Sequence, residues 1–296
     1  MRVSGVTPLW LAAPPLLALR VDDFFARWRQ AQRTLDPEDI HDLRVSSRRL
    51  REGLLLFAPL YRPAALRQGV RPVRRITRLL GALRNADEAL LFFRELAATA
   101  APAACAPLGD LVGRYQQRRQ TEAHHLHTAL SNLHAGATHA ALAKIVARPR
   151  VFSATALPID PFMTIGAFAG ESFAGRLAEL LELVPAASRE EDAAAQHRLR
   201  IAVKHYRYRL EILSFLLSDG YATIHGLVKQ YQELLGTLHD LDVFAELVRQ
   251  EGLPSATECV ILETLAAHRR HHFAAFAALL AAHPFATIGE QVRKAL

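Results

Sequence analysis

The spacing of apolar residues along the chain is helical almost throughout. In residues 16–35, Leu16, Leu17, Phe24, Phe25 and Trp28 recur at the intervals that line one face of an α-helix. No alternating polar and apolar stretch is long enough for a half-buried strand, and β-branched runs are scarce. Alanine and leucine, two strong helix formers, dominate the composition. The sequence therefore predicts an all-α protein.

Capping residues, prolines and glycines divide this pattern into helices. One helix is predicted to begin after Asp36, with Asp36 as its N-cap and Pro37 in its first turn, and to close at Pro59 and Pro63. Another is predicted to follow a capping box formed by Ser188 and Glu191 and to end near Asp219–Gly220. The other predicted helices cover 16–35, 64–98, 108–134, 137–147, 162–184, 221–251 and 255–282. The segment 99–107 is predicted to be a loop, Pro185 a break, Gly252-Leu253-Pro254 a turn, and the residues after 282 a short tail.

Two segments of the chain recur. HDLRVSSRRLREGLLLF at 41–57 is echoed by HRLRIAVKHYRYRLEIL at 197–213, and LLGALRNADEAL at 79–90 by LLGTLHDLDVFA at 234–245. We therefore expect two copies of one helical unit, forming two antiparallel bundles whose corresponding faces a pseudo-twofold axis would bring together. The predicted divisions are an N-terminal extension 1–15, a first half 16–146, a connector 147–161 and a second half 162–296.

Each copy of the first repeat carries a row of cations on one side of its helix. The first stripe consists of His41, Arg44, Arg48 and Arg51, and the second stripe of His197, Arg200, Lys204 and Arg207. On a helix, either set falls within an arc of about 80° and runs about 15 Å along the axis. Apolar residues occupy other positions around both helices. Each helix therefore has an apolar side for a core and a cationic side for an anion, and both histidines lie near a helix N-terminus, which also favours anions.

The distribution of charge strengthens this interpretation. The formal net charge is +7, but eleven arginines lie between His41 and Ala86, where only Asp42 and Glu52 oppose them. Arginine presents a rigid donor fork that fits phosphate and carboxylate oxygens. A GC-rich genome would also favour arginine over lysine, so the clustering carries more weight than the composition.

Other motifs are only weak indications of metal binding or catalysis. The His-Asp pairs at 41–42 and 239–240 resemble those of metal-dependent phosphohydrolases, but arginines nearby would repel a divalent cation. The histidine clusters at 124–127 and 268–272 lack a placed third metal ligand, and Arg269 and Arg270 lie within the second cluster. We expect those two helices to extend the basic face instead, through Arg114, Arg118 and Arg269. Three acids, Asp87, Asp240 and Asp242, are expected to orient arginines or to cap a helix.

The two cysteines, Cys105 and Cys259, stand alone, one in each half, which favours a reducing cytoplasm. Residues 6–19 resemble the apolar core of a signal peptide, but prolines interrupt them and an amphipathic helix follows. No apolar run reaches the length of a membrane span. We therefore expect a cytoplasmic protein with no membrane partner.

The doubled motif is the most specific signal in the sequence. His-x-x-Arg-Val/Ile-x-x-Arg/Lys-x-x-Arg occurs twice, each time followed by Leu-Leu-Gly-x-Leu-x-x-x-Asp, and residues 16–285 resemble the CHAD family, the conserved-histidine α-helical domain. The resemblance implies two similar helical bundles around a basic central channel that binds inorganic polyphosphate, without catalytic activity. The positions it implies for the channel are His41, Arg44, Arg48, Arg51, Arg74, Arg78, His197, Arg200, Lys204, Arg207 and Lys229. With their basic neighbours Arg49, Arg75, Arg114, Arg118 and Arg269 they form the predicted polyphosphate site. Glu233 departs from the pattern, because the first copy has Arg78 there.

Polyphosphate binding by a free-standing helical domain is therefore the predicted function, with no cofactor and no metal. Nucleic-acid binding is the main alternative, although only Tyr206 and Tyr208 interleave the cations as stacking platforms for bases. A phosphohydrolase that uses a His-Asp pair is the third hypothesis. Association with polyphosphate granules, and the oligomeric state, stay open.

Overall fold

Helices make up almost all of the fold in the computed structural model, which describes residues 3–34, 36–99, 102–152, 157–217 and 220–296. The α-helices are α1 (Leu9–Thr34), α2 (Pro37–Leu56), α3 (Pro63–Thr99), α4 (Pro102–Asn132), α5 (Ala135–Val146), α6 (Ile165–Ala187), α7 (Ala193–Leu213), α8 (Tyr221–Gln250), α9 (Ser255–Ala282) and α10 (Phe285–Ala295). Short 3-10 helices cover Ala58–Leu60 and Ser214–Leu216. The described ranges contain no strand, only an isolated bridge between Pro8 and Thr164. The predicted all-α class is confirmed.

The chain divides into two units. Unit 1 comprises Met1–Ala100 and Leu108–Ile165, and unit 2 comprises Ala101–Pro107 and Gly166–Leu296. The predicted connector 147–161 therefore belongs to unit 1, where the backbone N–H of Arg150 donates to Leu60 at 2.6 Å. Beside it the hydroxyl of Tyr61 donates to the carbonyl of Val146 at 3.0 Å. The pseudo-symmetry of the two halves stays a prediction.

The N-terminal segment is more ordered than predicted. Helix α1 begins at Leu9 rather than at residue 16 and continues through Pro14 and Pro15. Two of its first N–H groups, those of Leu9 and Trp10, donate to the carbonyls of Met163 and Pro161 at 2.8 and 3.0 Å. Burial of Leu9 and its neighbours on the same face outweighs the helix-breaking tendency of the prolines. Leu35, the predicted last residue of this helix, lies outside the described residues.

The core of unit 1 forms around aromatic residues of α1, which packs on α2 and α5. Phe24, Phe25 and Trp28 are fully buried, and the rings of Phe25 and Trp28 stack with centroids 5.4 Å apart. Burial of each such side chain contributes about 1.5–3 kcal/mol to folding. On α2, Leu43 and Leu50 are fully buried. This packing fixes which face of α2 points away from the core.

Unit 2 contains a helix that the sequence did not predict. The residues after 282, predicted as a short tail, include α10, which packs on α8 with Phe285, Ile288 and Val292 buried at helical spacing. The ring of Tyr231 from α8 lies 4.2 Å from that of Phe285, and its hydroxyl donates to the carbonyl of His283 at 2.7 Å. A single apolar face of only three residues is too short a pattern to distinguish from a tail by sequence.

Other boundaries also differ from prediction. Pro185 lies inside α6, and the predicted loop 99–107 is shorter because α4 begins at Pro102. The predicted Ser188–Glu191 capping box is wrong: Asp192 caps α7, its carboxylate accepting from the N–H of Ala195 at 2.8 Å. Helix α7 ends at Leu213, and Asp219, near which its end was predicted, lies outside the described residues. The turn at Gly252 is confirmed, with a φ of 65° that favours glycine.

Among the described residues, no single helix has both the length and the apolarity of a membrane span, while α9 and α10 together, bent by 49°, pass on length and composition.

Candidate anion-binding site

The first stripe lies on the side of α2 that faces away from the apolar core. Helix α2 begins as predicted at Pro37. Glu38 and Asp39 lie in its first turn, where the positive end of the helix dipole stabilises acidic side chains. Asp36 occupies the N-cap position, although its side chain makes no capping hydrogen bond. His41 and Arg51 are exposed, and Arg44 and Arg48 are half-buried.

A second basic surface, here called the α3 face, consists of Arg71, Arg74, Arg75 and Arg78. Their spacing places them within an arc of about 100° on α3. Val70, Val73, Ile76 and Leu80 are buried on the opposite side of the helix, so all four arginines are exposed.

Six arginines of the first stripe and the α3 face have no ion-pair partner among the described residues. Arg48 and Arg51 of the first stripe make no ion pair with any described residue, and neither do the arginines of the α3 face. Like charges one helical turn apart lower helix stability by about 0.2–0.5 kcal/mol per pair. The helices therefore keep an unfavourable concentration of positive charge that an external anion would relieve.

Helix α4 contributes a structural ion pair beside this basic surface. The Nε of Arg119, which was not predicted as a site residue, donates to the carboxylate of Asp87 on α3 at 2.7 Å. The predicted role of Asp87 in orienting an arginine is thus confirmed. The predicted residues Arg114 and Arg118 are exposed, and the guanidinium of Arg118 lies 6.0 Å from the centroid of the Tyr115 ring.

The second stripe, on α7, is less exposed and has acidic neighbours. The side chain of Arg200 is 17% exposed, and its guanidinium lies 4.0 Å from the carboxylate of Asp240. That of Arg207 lies 3.7 Å from the carboxylate of Glu211 and 5.2 Å from the centroid of the Tyr208 ring. The second stripe is therefore held in place by the protein to a greater degree than the first.

On α8 too, a cation of the predicted site has an acidic neighbour. Lys229 pairs with Glu233, one turn later, at 3.4 Å. These positions correspond to Arg74 and Arg78 of unit 1, so an attractive pair replaces a repulsive one. Glu233, where the sequence departs from the first copy, thus balances the charge of Lys229 within unit 2.

Arg269 serves as a clamp within unit 2. Its three nitrogens donate to the carboxylate of Asp242 at 2.6 Å, the carbonyl of Glu190 at 2.8 Å and the side-chain oxygen of Gln196 at 2.7 Å. This confirms the predicted orienting role for Asp242. Three of the five N–H donors of Arg269, a residue predicted to bind phosphate, are therefore bonded within the protein. At the offset of 155 that relates the two Leu-Leu-Gly segments, Arg269 corresponds to Arg114, but the matching contact in unit 1 belongs to Arg119.

A pair of histidines lies beside Arg200. The Nδ1 atoms of His197 and His239 are 3.0 Å apart, and the ring centroids are 4.2 Å apart. Burial, followed by the charges of Arg200, His197 and Lys204, lowers the pKa of His239 to about 4, against a smaller opposing effect of Asp242. Burial, Arg200 and Lys204 also lower the pKa of His197.

Sequence reasoning singled out His239 only as part of a His-Asp pair. It stands where the first copy has Arg84, which pairs with Glu88 at 2.6 Å. Nothing in the linear spacing signals a contact between two histidines 42 positions apart.

The histidine clusters at 124–127 and 268–272 do not assemble a ligand set. Within the part of the chain that the structure describes, no group of three or more His, Cys, Asp or Glu side chains is arranged to hold a metal ion. His124, His125 and His127 are exposed on α4, and the rings of His271 and His272 lie 5.5 Å apart on α9.

Both stripes and both Leu-Leu-Gly segments fall within one family match. The sequence profile of the CHAD domain matches residues 16–249. The chain belongs to the CHAD domain family. The fold of this CHAD protein is similar to that of the CHAD domain from the plant Ricinus communis, with a TM-score of 0.63 at 24% identity over 99% of this chain and 94% of that one. It is also similar to PptA from Streptomyces chartreusis, with a TM-score of 0.64 at 18% identity over 93% and 98% of the two chains. No curated protein matches the sequence.

Proposed function

We propose that this CHAD protein binds inorganic polyphosphate, without catalysis, through the basic faces of its two units. The observation that carries the proposal is the concentration of exposed or half-buried arginines in the first stripe and the α3 face that have no ion pair within the described chain. The members that belong to the predicted site are Arg48, Arg51, Arg74, Arg75 and Arg78. The basic central channel implied by the family resemblance stays a prediction.

A flexible polyanion fits such a surface better than a single small anion does. The first stripe runs about 15 Å along α2, and Arg71 to Arg78 spans about 10 Å along α3. A chain with one charge per phosphate can place successive groups against successive guanidinium forks. Each contact also releases counterions that are condensed on the polyanion, which makes binding favourable at low salt and strongly salt-dependent.

Two observations bear on the alternatives. Tyr206 and Tyr208, the aromatic residues that interleave the second stripe, are only 1% and 7% exposed, so neither offers a stacking surface to a base. The His239–Asp240 pair of the phosphohydrolase reading has its histidine bonded to His197. Asp87 and Asp242 are each bonded to an arginine, which supports a positioning role rather than proton transfer.

Competition binding tests the proposal. Fluorescently labelled polyphosphate is bound to the protein and displaced by unlabelled polyphosphate or by single-stranded DNA of the same total charge. We expect polyphosphate to displace the probe at much the lower concentration. The reverse order would make the protein a nucleic-acid binder, and release of orthophosphate during incubation with Mg²⁺ or Mn²⁺ would make it an enzyme.

A further inference from the structure

The histidine pair of unit 2 has two ring nitrogens that are available to a ligand as far as the described residues show. His197 on α7 and His239 on α8 bond to each other through Nδ1. Their Nε2 atoms make no hydrogen bond with any described residue, and both side chains are partly exposed. The pair lies beside Arg200 and Lys204, the two middle cations of the second stripe.

The Nδ1–Nδ1 contact determines what the pair can offer to an anion. When both rings are neutral, one Nδ1 donates and the other accepts, so the accepting ring carries its proton on Nε2 and the donating ring has a bare Nε2. Only one of the two Nε2 atoms is then a donor. A single added proton goes to the bare Nε2, keeps the bond between the rings and leaves two outward N–H donors with one positive charge.

We propose that His239 joins the predicted site residue His197 in one phosphate-binding element of unit 2, which takes up one shared proton when polyphosphate binds. The inference rests on the proposed function, since polyphosphate is the anion that would induce the uptake. His239 was not among the predicted site residues, and it acts here both as a ligand and as the partner that orients His197.

The charges around the pair explain why the proton is absent without a ligand. Arg200 and Lys204 of α7 repel it, and Asp242 of α8 attracts it weakly because Arg269 of α9 occupies that carboxylate. Asp240 of α8 lies 4.0 Å from Arg200 and offsets part of its charge. A polyanion against Arg200 and Lys204 would neutralise the repulsion, so the pair would then gain its proton.

The direction of the pH effect follows from this linkage. A ligand that raises the pKa of a group binds more tightly as the pH falls from the bound-state pKa towards the free-state pKa. The free-state pKa of His239 is about 4, and that of an ordinary histidine is about 6.5. The affinity should therefore rise as the pH falls from the bound-state pKa towards about 4, by about tenfold for each pH unit below the bound-state pKa. A bound-state pKa at the ordinary value of about 6.5 gives a gain of about tenfold at about pH 5.5.

The test compares polyphosphate affinity at pH 7.5 and pH 5.5 in three proteins. His239→Asn keeps a side chain that can bond to Nδ1 of His197 but cannot be protonated. His268→Asn removes an exposed histidine of α9 as the control for general histidine titration. A long polyphosphate is used, because its internal phosphates stay fully charged at both pH values.

We expect the gain in affinity on acidification to be about tenfold smaller for His239→Asn than for the wild type, with His268→Asn like the wild type. Equal gains in all three proteins would overturn the inference while leaving polyphosphate binding intact. No binding by the wild type at either pH would remove the proposed function, and the inference with it. NMR titration of the histidine rings in the wild type gives a second reading that does not depend on the variant folding, and a pair whose pKa is unmoved by polyphosphate would refute the proposal.

Discussion

Neutralising two arginines of the α3 face should weaken polyphosphate binding far more than neutralising two others on the same helix. The test variant carries Arg74→Gln and Arg78→Gln, and the control carries Arg84→Gln and Arg94→Gln. Both lower the formal net charge of +7 by two units, so long-range attraction falls equally. The difference lies in local partners: Arg84 pairs with Glu88 at 2.6 Å, and Arg94 donates to Gln116 at 3.2 Å.

The expected size of the effect follows from exposure and contact number. Arg74 and Arg78 are exposed and make no ion pair with the described chain. Allowing about 1 kcal/mol for each solvent-exposed ionic contact, the loss of both weakens binding by about 30-fold at low salt. With about 0.7 counterions released per contact, as on a single-stranded polyanion, the slope of log affinity against log salt becomes shallower by about 1.4.

The assay is fluorescence anisotropy of a labelled polyphosphate at several salt concentrations from about 50 to 200 mM. Arginine and glutamine have similar helix propensities, so circular dichroism should show both variants folded to the same extent as the wild type. Equal losses in the test and control variants would mean that only net charge matters. A test variant with wild-type affinity and slope would refute the argument that the α3 face binds the ligand.

Three further outcomes are expected. The double variant Arg44→Ala with Arg200→Ala should bind polyphosphate at least tenfold more weakly, a loss of about 1.4 kcal/mol of binding free energy, while circular dichroism shows unchanged helicity. An unchanged affinity would place the ligand elsewhere. Asp242→Ala removes the acceptor of Arg269 and should lower the free energy of unfolding by about 1–3 kcal/mol in urea titrations; a change below about 0.5 kcal/mol would show that the clamp is dispensable. The pKa of His239 is lowered to about 4 in the folded protein, so the unfolded chain binds the proton first as the pH falls. The free energy of unfolding should therefore decrease between about pH 6.5 and about pH 4. Urea titrations across that range should show a less steep decrease for His239→Asn than for the wild type.

Periodicity was sufficient to predict helices wherever a long face is buried. Helix α8 was predicted at 221–251 and observed at Tyr221–Gln250, because a thirty-residue stretch repeats its apolar spacing many times. Prediction failed where tertiary contacts override a local signal. Pro14 and Pro15 read as helix breakers, yet the carbonyls of Met163 and Pro161 satisfy the first N–H groups of α1 and buried leucines hold the helix in place.

For the site, spacing predicted which residues share a helix face but not which of them have partners. The first stripe lies opposite the buried leucines of α2, as a 3.6-residue repeat requires. The engagement of Arg269 could not be predicted, because its three acceptors come from three positions distant in sequence, Asp242, Glu190 and Gln196. The histidine pair was missed for the same reason, since its members lie on different helices.

The two copies of the repeat differ in charge balance more than in residue spacing, and this difference has a functional consequence. In unit 1 the cations of the α3 face have no described counter-charge, so their attraction for a polyanion is undiminished, but no ion pair restricts their exposed side chains. In unit 2, Arg200 and Arg207 lie within 4.0 and 3.7 Å of carboxylates, which weakens their net attraction and restricts their motion. Restricting a binding group before the ligand arrives lowers the entropy lost on binding. We therefore expect unit 1 to supply most of the salt-dependent affinity, and unit 2, with its fixed arginines and its histidine pair, to supply most of the dependence on pH and ligand geometry.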